Sequence, residues 1–185
     1  MARRGGRRLL LAGAGIAAAS AGLGWALRWT YERPPSPAPE PTRLPAAPGE
    51  VWSLSFPRPE GGELALSAFR GRPLLINFWA TWCAPCLEEM PLLDRFAREH
   101  RAAGWQVVGL ALDGAEPVRE FLARTPVGFA IGLAQGGGVS LSRSLGNTRG
   151  ALPFSVVFDS AATLSHRKLG ALNWQELSSW ADQVR

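Results

Sequence analysis

The segment Leu74–Pro91, which reads LLINFWATWCAPCLEEMP, decides the fold of this chain. It begins with an apolar run, Leu74–Trp79, which is typical of a strand buried on both faces. A helical pattern follows, and Cys83 and Cys86 lie where that helix should begin. They are the 2 cysteines of the chain. The sequence therefore predicts a strand-to-helix junction that carries a cysteine pair.

The position of the two cysteines indicates a redox disulfide. A thiolate is the nucleophile in disulfide exchange, and the N-terminus of a helix stabilises negative charge. We therefore expect Cys83 to be the more acidic, exposed and attacking sulfur. Cys86 lies one turn further into the helix, so we expect it to be the buried sulfur that resolves a mixed disulfide.

The formal charge of +5 is a property of the N-terminal part of the chain. Residues 1–50 hold seven arginines and three glutamates, whereas residues 51–185 hold 13 basic and 12 acidic residues. A chain whose folded part is nearly neutral has little electrostatic attraction for nucleic acid. We therefore expect no nucleic-acid partner.

Residues 1–31 are predicted to be an export segment that anchors the protein in a membrane. Four arginines precede Leu9–Leu27, an uncharged run of 19 residues that would span roughly 28 Å as a helix. Arginines in front of such a run keep its start in the cytoplasm, so the rest of the chain would be extracytoplasmic. Two alternatives stay open: cleavage near Ala19–Ala21, which would leave a soluble periplasmic protein, and export by the twin-arginine route, which Arg7-Arg8 loosely matches.

Residues 32–50 are predicted to be an extended linker. They contain seven prolines, and proline cannot donate the hydrogen bonds of a helix or a sheet. At about 3.1 Å per residue, the linker could hold a domain roughly 50 Å from the membrane. Residues 51–185 are long enough for one domain with a core of its own.

Hydrophobic periodicity in residues 51–185 predicts an α/β domain on a mixed sheet, with a β-hairpin in front. The helices are predicted at Ala84–Arg101, continuing through Pro91, at Ala115–Arg124, at Val139–Leu145 after a loop at Gly136–Gly138, and from the Asn173 cap to Val184. The strands are predicted at Val51–Phe56, Glu63–Leu66, Leu74–Trp79, Trp105–Leu112, Phe129–Leu133, Phe154–Phe158 and Leu164–Leu169, the last two as an antiparallel pair.

On these residues the chain resembles the thioredoxin superfamily, and most closely its membrane-anchored TlpA/ResA/CcmG group of thiol:disulfide oxidoreductases. The segment Phe78–Cys86, FWATWCAPC, matches the active-site motif of that family, and Gly150–Phe154 matches the segment that holds its cis-proline. The resemblance covers residues 51–185 and implies a thioredoxin-like fold. It also implies that Pro153 is cis and faces the cysteines, and that the backbone of Leu152 pairs with a substrate strand. Without the resemblance, Pro153 would be a turn proline before a strand.

The resemblance implies further site residues around the cysteine pair. The candidates for substrate binding are Trp82, Ala84, Pro85 and Leu152, and Pro153 is counted with the catalytic residues. In the ResA branch a glutamate lies where this chain has Glu89, three residues after the second cysteine. The same spacing puts both side chains on one helix face.

Glu89 is the predicted proton carrier of the site, because it could accept or deliver the proton of Cys86. A solvated charge on the helix surface is the alternative, as adjacent Glu88 illustrates. Thioredoxin itself has a buried acid on the strand before the motif. This chain has Asn77 there, which cannot relay a proton, so Glu89 is left as the candidate.

Metal and cofactor sites are not expected. A zinc site needs four ligands, and His100 and His166 lie on separate predicted elements. Haem attachment needs a histidine directly after the second cysteine, where Leu87 stands. A purely structural disulfide would add little stability, because it closes a loop of only two residues.

The predicted function is reduction of disulfides in client proteins during the maturation of cytochrome c or of metal sites. The expected partners are a client protein with a disulfide, a membrane electron donor of the thiol-reductase type, and the membrane itself. Two alternatives use the same residues: Cu(I) handling through Cys83, Cys86 and Met90, and disulfide formation, since the sequence does not fix the direction of electron flow.

Overall fold

The computed structural model of the chain describes residues 48–184. A five-stranded mixed sheet has the strand order β5-β4-β3-β6-β7, and a separate two-stranded hairpin, β1-β2, precedes it in the chain. The strands are β1 Ser55–Pro57, β2 Glu63–Ala65, β3 Leu74–Trp79, β4 Gln106–Ala111, β5 Ala130–Leu133, β6 Phe154–Phe158 and β7 Leu164–Leu169. The helices are α1 Ala84–Glu99, α2 Ala115–Arg124, α3 Gln135–Ser144 and α4 Trp174–Gln183. This architecture confirms the thioredoxin-like fold that the sequence predicts.

Strand β3 lies in the middle of the five-stranded sheet, and all six of its residues are buried. It pairs in parallel with β4 and antiparallel with β6, and Asn77 lies opposite Ser155 in the second pairing. Its side chains alternate between the two faces of the sheet. Leu75 and Trp79 belong to one core cluster, while Ile76 and Phe78 belong to the other.

Helix α1 packs against the cluster that contains Trp79, and it brings Cys86, Met90 and Phe96 into that cluster. It continues through Pro91, as predicted, and the ring of Pro91 lies on an exposed face of the helix. The last helix also matches its prediction at the N-terminus. Asn173 caps α4 in a reciprocal capping box with Glu176.

The prediction of a strand at Val51–Phe56 is wrong in its first half. Residues Pro48–Ser53 form a 3-10 helix, and only Ser55–Pro57 form a strand. Val51 and Trp52 are adjacent and both are buried, at 0% and 3% exposure. A strand would point two adjacent side chains to opposite faces, so only a helical turn buries both on one side.

The predicted loop at Gly136–Gly138 is also wrong, because these glycines lie inside α3. A Cβ on Gly138 would come within 2.8 Å of the Ala134 Cβ and 3.2 Å of Leu112 Cδ1. The glycine therefore allows close packing of the helix rather than a loop. At the other corrected boundary, α1 ends at Glu99 and a 3-10 helix, Arg101–Ala103, follows it.

The predicted export segment and most of the linker lie outside the described residues. Within residues 48–184, no helix is both long enough and apolar enough to cross a bilayer.

Candidate active site

The cysteine pair lies just beyond the C-terminal end of β3. After Trp79 the chain turns, with the N–H of Cys83 donating to the Ala80 carbonyl at 3.2 Å. Cys83 is the N-cap residue of α1, and Cys86 lies in its first turn. The two sulfurs form a disulfide with an S–S distance of 2.05 Å. The structure therefore shows the oxidised pair at the strand-to-helix junction that the sequence predicts.

The surroundings of the two sulfurs are unequal. Cys83 is buried, with 7% exposure, so it is not the exposed residue that the sequence predicts, although it is less enclosed than Cys86, which is completely buried. Trp82 precedes the pair and is 71% exposed, the most exposed large apolar side chain that the structure describes. Ala84 and Pro85 are exposed as well. A client could reach the pair along this surface, which leads to Cys83 before Cys86.

Glu89 is buried, with 3% exposure, whereas Glu88 beside it is exposed. Glu89 is therefore not a solvated charge on the helix surface. Its Oε1 accepts a hydrogen bond from Asn77 Nδ2 at 2.7 Å, and its Oε2 accepts one from the backbone N–H of Leu172 at 2.9 Å. Burial raises the pKa of Glu89, and the two hydrogen bonds oppose that rise.

Asn77 extends this contact to the next strand. Its Nδ2 also donates to Ser155 Oγ at 3.0 Å, and both residues are completely buried. Sequence reasoning did not identify Ser155 or the Leu172 N–H. Ser155 could have been found, because it is the polar residue in the apolar run Phe154–Phe158 and would face Asn77 on a neighbouring strand. Nothing in the sequence pattern indicates the role of the Leu172 backbone.

The segment before β6 is organised by Asn147, which the sequence analysis also missed. Asn147 Nδ2 donates to the Ala151 carbonyl at 2.8 Å, and Asn147 Oδ1 accepts the N–H of Ala151 at 3.3 Å. The Leu152–Pro153 peptide bond that follows is cis, as the resemblance implies. Leu152 is half-buried and Pro153 is buried. The roles of Leu152 and Pro153 in client binding stay predictions.

Asp113 is a further residue that the sequence analysis missed. It follows β4, and its Oδ2 accepts the backbone N–H of Thr81 at 2.6 Å. Because β3 and β4 are parallel, their C-terminal ends meet at the same edge of the sheet. A sequence signal was therefore present, since Asp113 is the first carboxylate after the second buried strand. Asp113 holds the turn that leads to Cys83.

The other candidate metal ligands lie apart from each other. His100 Nδ1 contacts the Phe96 carbonyl at 3.2 Å, and His166, on the edge strand β7, contacts Ser165 and Gln183. Met90 is completely buried in the core cluster. Between residues 48 and 184, no group of three or more His, Cys, Asp or Glu side chains is arranged to hold a metal ion.

Comparison with known proteins agrees with this geometry. The family model described as Redoxin matches residues 40–184. A thiol-disulfide oxidoreductase ResA of Bacillus cereus is 25% identical over 126 residues, which cover 68% of this chain and 70% of that protein. The ResA of Bacillus thuringiensis subsp. konkukian is 28% identical over 100 residues, so the match covers about half of each chain, 54%.

A solved structure shows the same fold. The thioredoxin-related protein from Neisseria meningitidis serogroup B is 27% identical, with a TM-score of 0.61 over 69% of this chain and 96% of that one. The family match, the relatives and the oxidised cysteine pair at the start of α1 agree with each other. The chain belongs to the Redoxin family, and within it to the thioredoxin-fold thiol:disulfide oxidoreductases of the TlpA/ResA/CcmG-like type.

Proposed function

We propose that this protein reduces disulfides of client proteins on the outer side of a bacterial cytoplasmic membrane, using the dithiol form of Cys83 and Cys86. The observation that carries the proposal is the unequal placement of the two sulfurs. Cys83 caps α1 beside exposed Trp82, while Cys86 is completely buried. A client can therefore be attacked by one sulfur and released by the other.

The exchange proceeds in two steps. The Cys83 thiolate attacks one sulfur of the client disulfide, and the other client sulfur leaves as a thiolate and takes up a proton. Cys86 then transfers its proton to Glu89 and attacks the Cys83 sulfur, which releases the second client sulfur. The client gains two electrons and the protein is left oxidised. A membrane dithiol donor must then reduce the Cys83–Cys86 disulfide before the next cycle.

The groups around the pair favour the reducing direction. Asp113 holds the turn before Cys83, Glu89 is buried one turn beyond Cys86, and Cys86 itself is buried. Burial and a neighbouring carboxyl group disfavour a thiolate at Cys86, and they oppose the start of α1, which favours a thiolate at Cys83. Strongly oxidising pairs are those whose reduced form is stabilised, so a pair without that stabilisation is the better reductant.

The reduction potential of the full-length protein tests the direction. Equilibration with dithiothreitol or glutathione couples should give a value near or below about −270 mV, in the range of thioredoxin. A value near about −120 mV would mean that the protein forms disulfides instead.

A trapping experiment tests the order of attack. The Cys86→Ser variant should accumulate a client covalently bound to Cys83, while Cys83→Ser should accumulate none. Turnover of a client disulfide by Cys86→Ser would contradict the mechanism.

The client and the location are part of the same proposal. The predicted export segment at residues 1–31 and the linker at 32–50 support a domain tethered outside the cytoplasm, where proteins that mature cytochrome c or metal sites would be its clients. Cu(I) handling is the competing function, and Met90 lies in the apolar core rather than on the surface. Stoichiometric Cu(I) binding that withstands glutathione, without disulfide reduction, would favour copper handling.

A further inference from the structure

Asn77 connects the helix that carries Cys86 with the strand that follows Pro153. Its Nδ2 donates to Glu89 Oε1 at 2.7 Å and to Ser155 Oγ at 3.0 Å. Glu89 Oε2 accepts the Leu172 N–H at 2.9 Å. Both carboxylate oxygens are therefore held, one by a side chain and one by the backbone, and the carboxyl group has a single orientation.

The hydrogen bonding of the Asn77 amide indicates that this residue is not there to stabilise the fold. It is completely buried, and its Oδ1 has no hydrogen-bond partner. A buried acceptor without a partner costs free energy, and an apolar residue on a central strand would avoid that cost. Only the donor end of the amide is used, and it is directed at a carboxylate.

We propose that Asn77, anchored by Ser155, is a positioning residue that orients the Glu89 carboxyl for proton exchange with Cys86. The inference rests on the proposed function, in which Glu89 takes the proton of Cys86. Strand β3 brings Asn77 to this carboxyl, the segment before α4 brings the Leu172 N–H, and α1 brings Cys86 one turn away. No charged side chain hydrogen-bonds or ion-pairs with Glu89 in the described part of the chain.

Loss of the hydrogen bond from Asn77 changes the pKa of Glu89 in a known direction. The hydrogen bond favours the ionised carboxyl, so its removal raises the pKa of Glu89 further. Glu89 would then be ionised, and able to accept a proton, only at higher pH. The step in which Cys86 attacks should become slower at neutral pH and recover as the pH rises.

A two-phase reaction with 5,5′-dithiobis(2-nitrobenzoate) separates the steps in the reduced, full-length protein. Attack by Cys83 releases the first coloured thiolate, and attack by Cys86 on the mixed disulfide releases the second. We expect Asn77→Leu to slow the second phase roughly tenfold at neutral pH and to move its midpoint upward by about one pH unit. The first phase is the internal reference for each sample.

A double-variant cycle decides whether Asn77 acts through Glu89. In a Glu89→Gln background, Asn77→Leu should slow the second phase no further. An equal slowing in both backgrounds, or no slowing in the wild-type background, would overturn the proposal. If Asn77→Leu does not fold, Ser155→Ala takes its place in the same cycle, with a smaller effect in the same direction.

Asp94→Asn is the control for Asn77→Leu. Asp94 is a buried polar residue, as Asn77 is, and it lies in α1, the helix that carries Glu89. Asp94 accepts the Gly128 N–H and pairs with Arg98. Within the described residues it forms no hydrogen bond with Asn77, Glu89 or Ser155, which make up the buried network around Cys86. The Asp94→Asn variant should have a lower free energy of unfolding, but the pH midpoint of its second phase should equal that of the wild type. A wild-type protein that showed no second phase would count against the proposed function itself, which distinguishes that failure from a failure of the inference.

Discussion

Glu88 and Glu89 are adjacent residues of the same type, and burial alone separates their chemistry. Glu88 is solvated, whereas Glu89 is enclosed with both oxygens held, and burial raises its pKa. A carboxyl group whose pKa lies closer to neutrality is a more effective proton carrier. The helix face on which each residue lies therefore decides which of them can serve Cys86.

We predict that Glu89→Gln slows the attack of Cys86 by about 10²-fold, the usual contribution of a general base, and flattens its pH dependence. Glu88→Gln should leave both unchanged. The measurement is the rate at which the Cys83 mixed disulfide with a peptide is resolved, over a range of pH. A Glu89→Gln protein that kept the wild-type midpoint would show that another group takes the proton.

The loop before Pro153 gives a second prediction at the scale of a residue. Asn147 holds both the N–H and the carbonyl of Ala151, so Asn147→Ala leaves two backbone groups without these partners. We expect KM for a peptide disulfide to rise roughly tenfold, because a loop that is no longer held must be ordered when the client binds. Reaction with a small aromatic disulfide should change little, because it needs no backbone pairing with the loop.

Ser144→Ala is the control for this variant, since the Ser144 hydroxyl donates to the Leu141 carbonyl within α3. An equal loss for peptide and small disulfide in Asn147→Ala would indicate that the loop does not bind clients.

The sequence was sufficient to identify site residues whose role depends only on their near neighbours in the chain. Cys83 and Cys86 are identified by their spacing and by the start of a helix, both of which lie within one stretch of chain. The burial of Glu89 could not be derived in the same way, because it depends on Asn77, 12 residues away, and on Leu172, 83 residues away. Hydrophobic periodicity reports on neighbouring residues, so it gives no information on contacts between distant segments of the chain.

At the scale of an element, α4 links stability to the active site. Its cap residue, Asn173, directly follows Leu172, whose N–H holds Glu89. We predict that Asn173→Ala lowers the free energy of unfolding by about 1 kcal/mol, as loss of an N-cap usually does. It should also speed hydrogen exchange at Leu172.

Ser179→Ala is the matched control for the cap, because Ser179 lies in the same helix and its hydroxyl accepts a hydrogen bond from exposed Gln183 Nε2. Asn173→Ala with unchanged exchange at Leu172 would show that the segment before α4 is held independently of the cap.

Element boundaries were predictable where periodicity was uniform, as in β3, β6 and α2. They were not predictable where packing overrode local preference. Three successive glycines favour a loop, yet all three lie in α3; Gly138 is where the helix packs closely on Leu112, and a Cβ there would lie 3.2 Å from Leu112 Cδ1. Apolar and polar residues alternate over Trp52–Phe56 as in a strand, yet Val51 and Trp52 both enter the core from one 3-10 turn.

For the molecule as a whole, the order of the elements was enough to predict a mixed sheet, and the resemblance supplied its topology. The result is that the two functional segments are held by neighbouring strands, since β3 leads to Cys83 and β6 follows Pro153. The hydrogen bond from Asn77 to Ser155 joins these strands in the buried interior, and the same Asn77 amide group donates to Glu89. Glu89 is bonded to Asn77 on β3 and to the Leu172 N–H before α4, so the free energy of unfolding of the domain should depend on whether Glu89 is ionised.

The final prediction concerns that dependence. The pKa of Glu89 in the folded protein is raised above its ordinary value of 4.5, so the folded state holds the proton more tightly than the unfolded state. The free energy of unfolding should therefore fall as the pH rises from 4.5 through the raised pKa, and stay lower above it. Glu89→Gln removes this dependence.

Denaturant unfolding of the oxidised wild-type and Glu89→Gln proteins across this range measures the effect, and the wild-type minus variant difference is the informative quantity. Glu176 cannot mimic it, because its pKa is lowered, mainly by Lys168, and its contribution is lost only as the pH falls below 4.5. The difference should decrease between pH 4.5 and the raised pKa of Glu89 and stay constant above that pKa. A difference that stays flat would mean that Glu89 titrates as it does in the unfolded chain, and that the buried network holds an ordinary carboxylate.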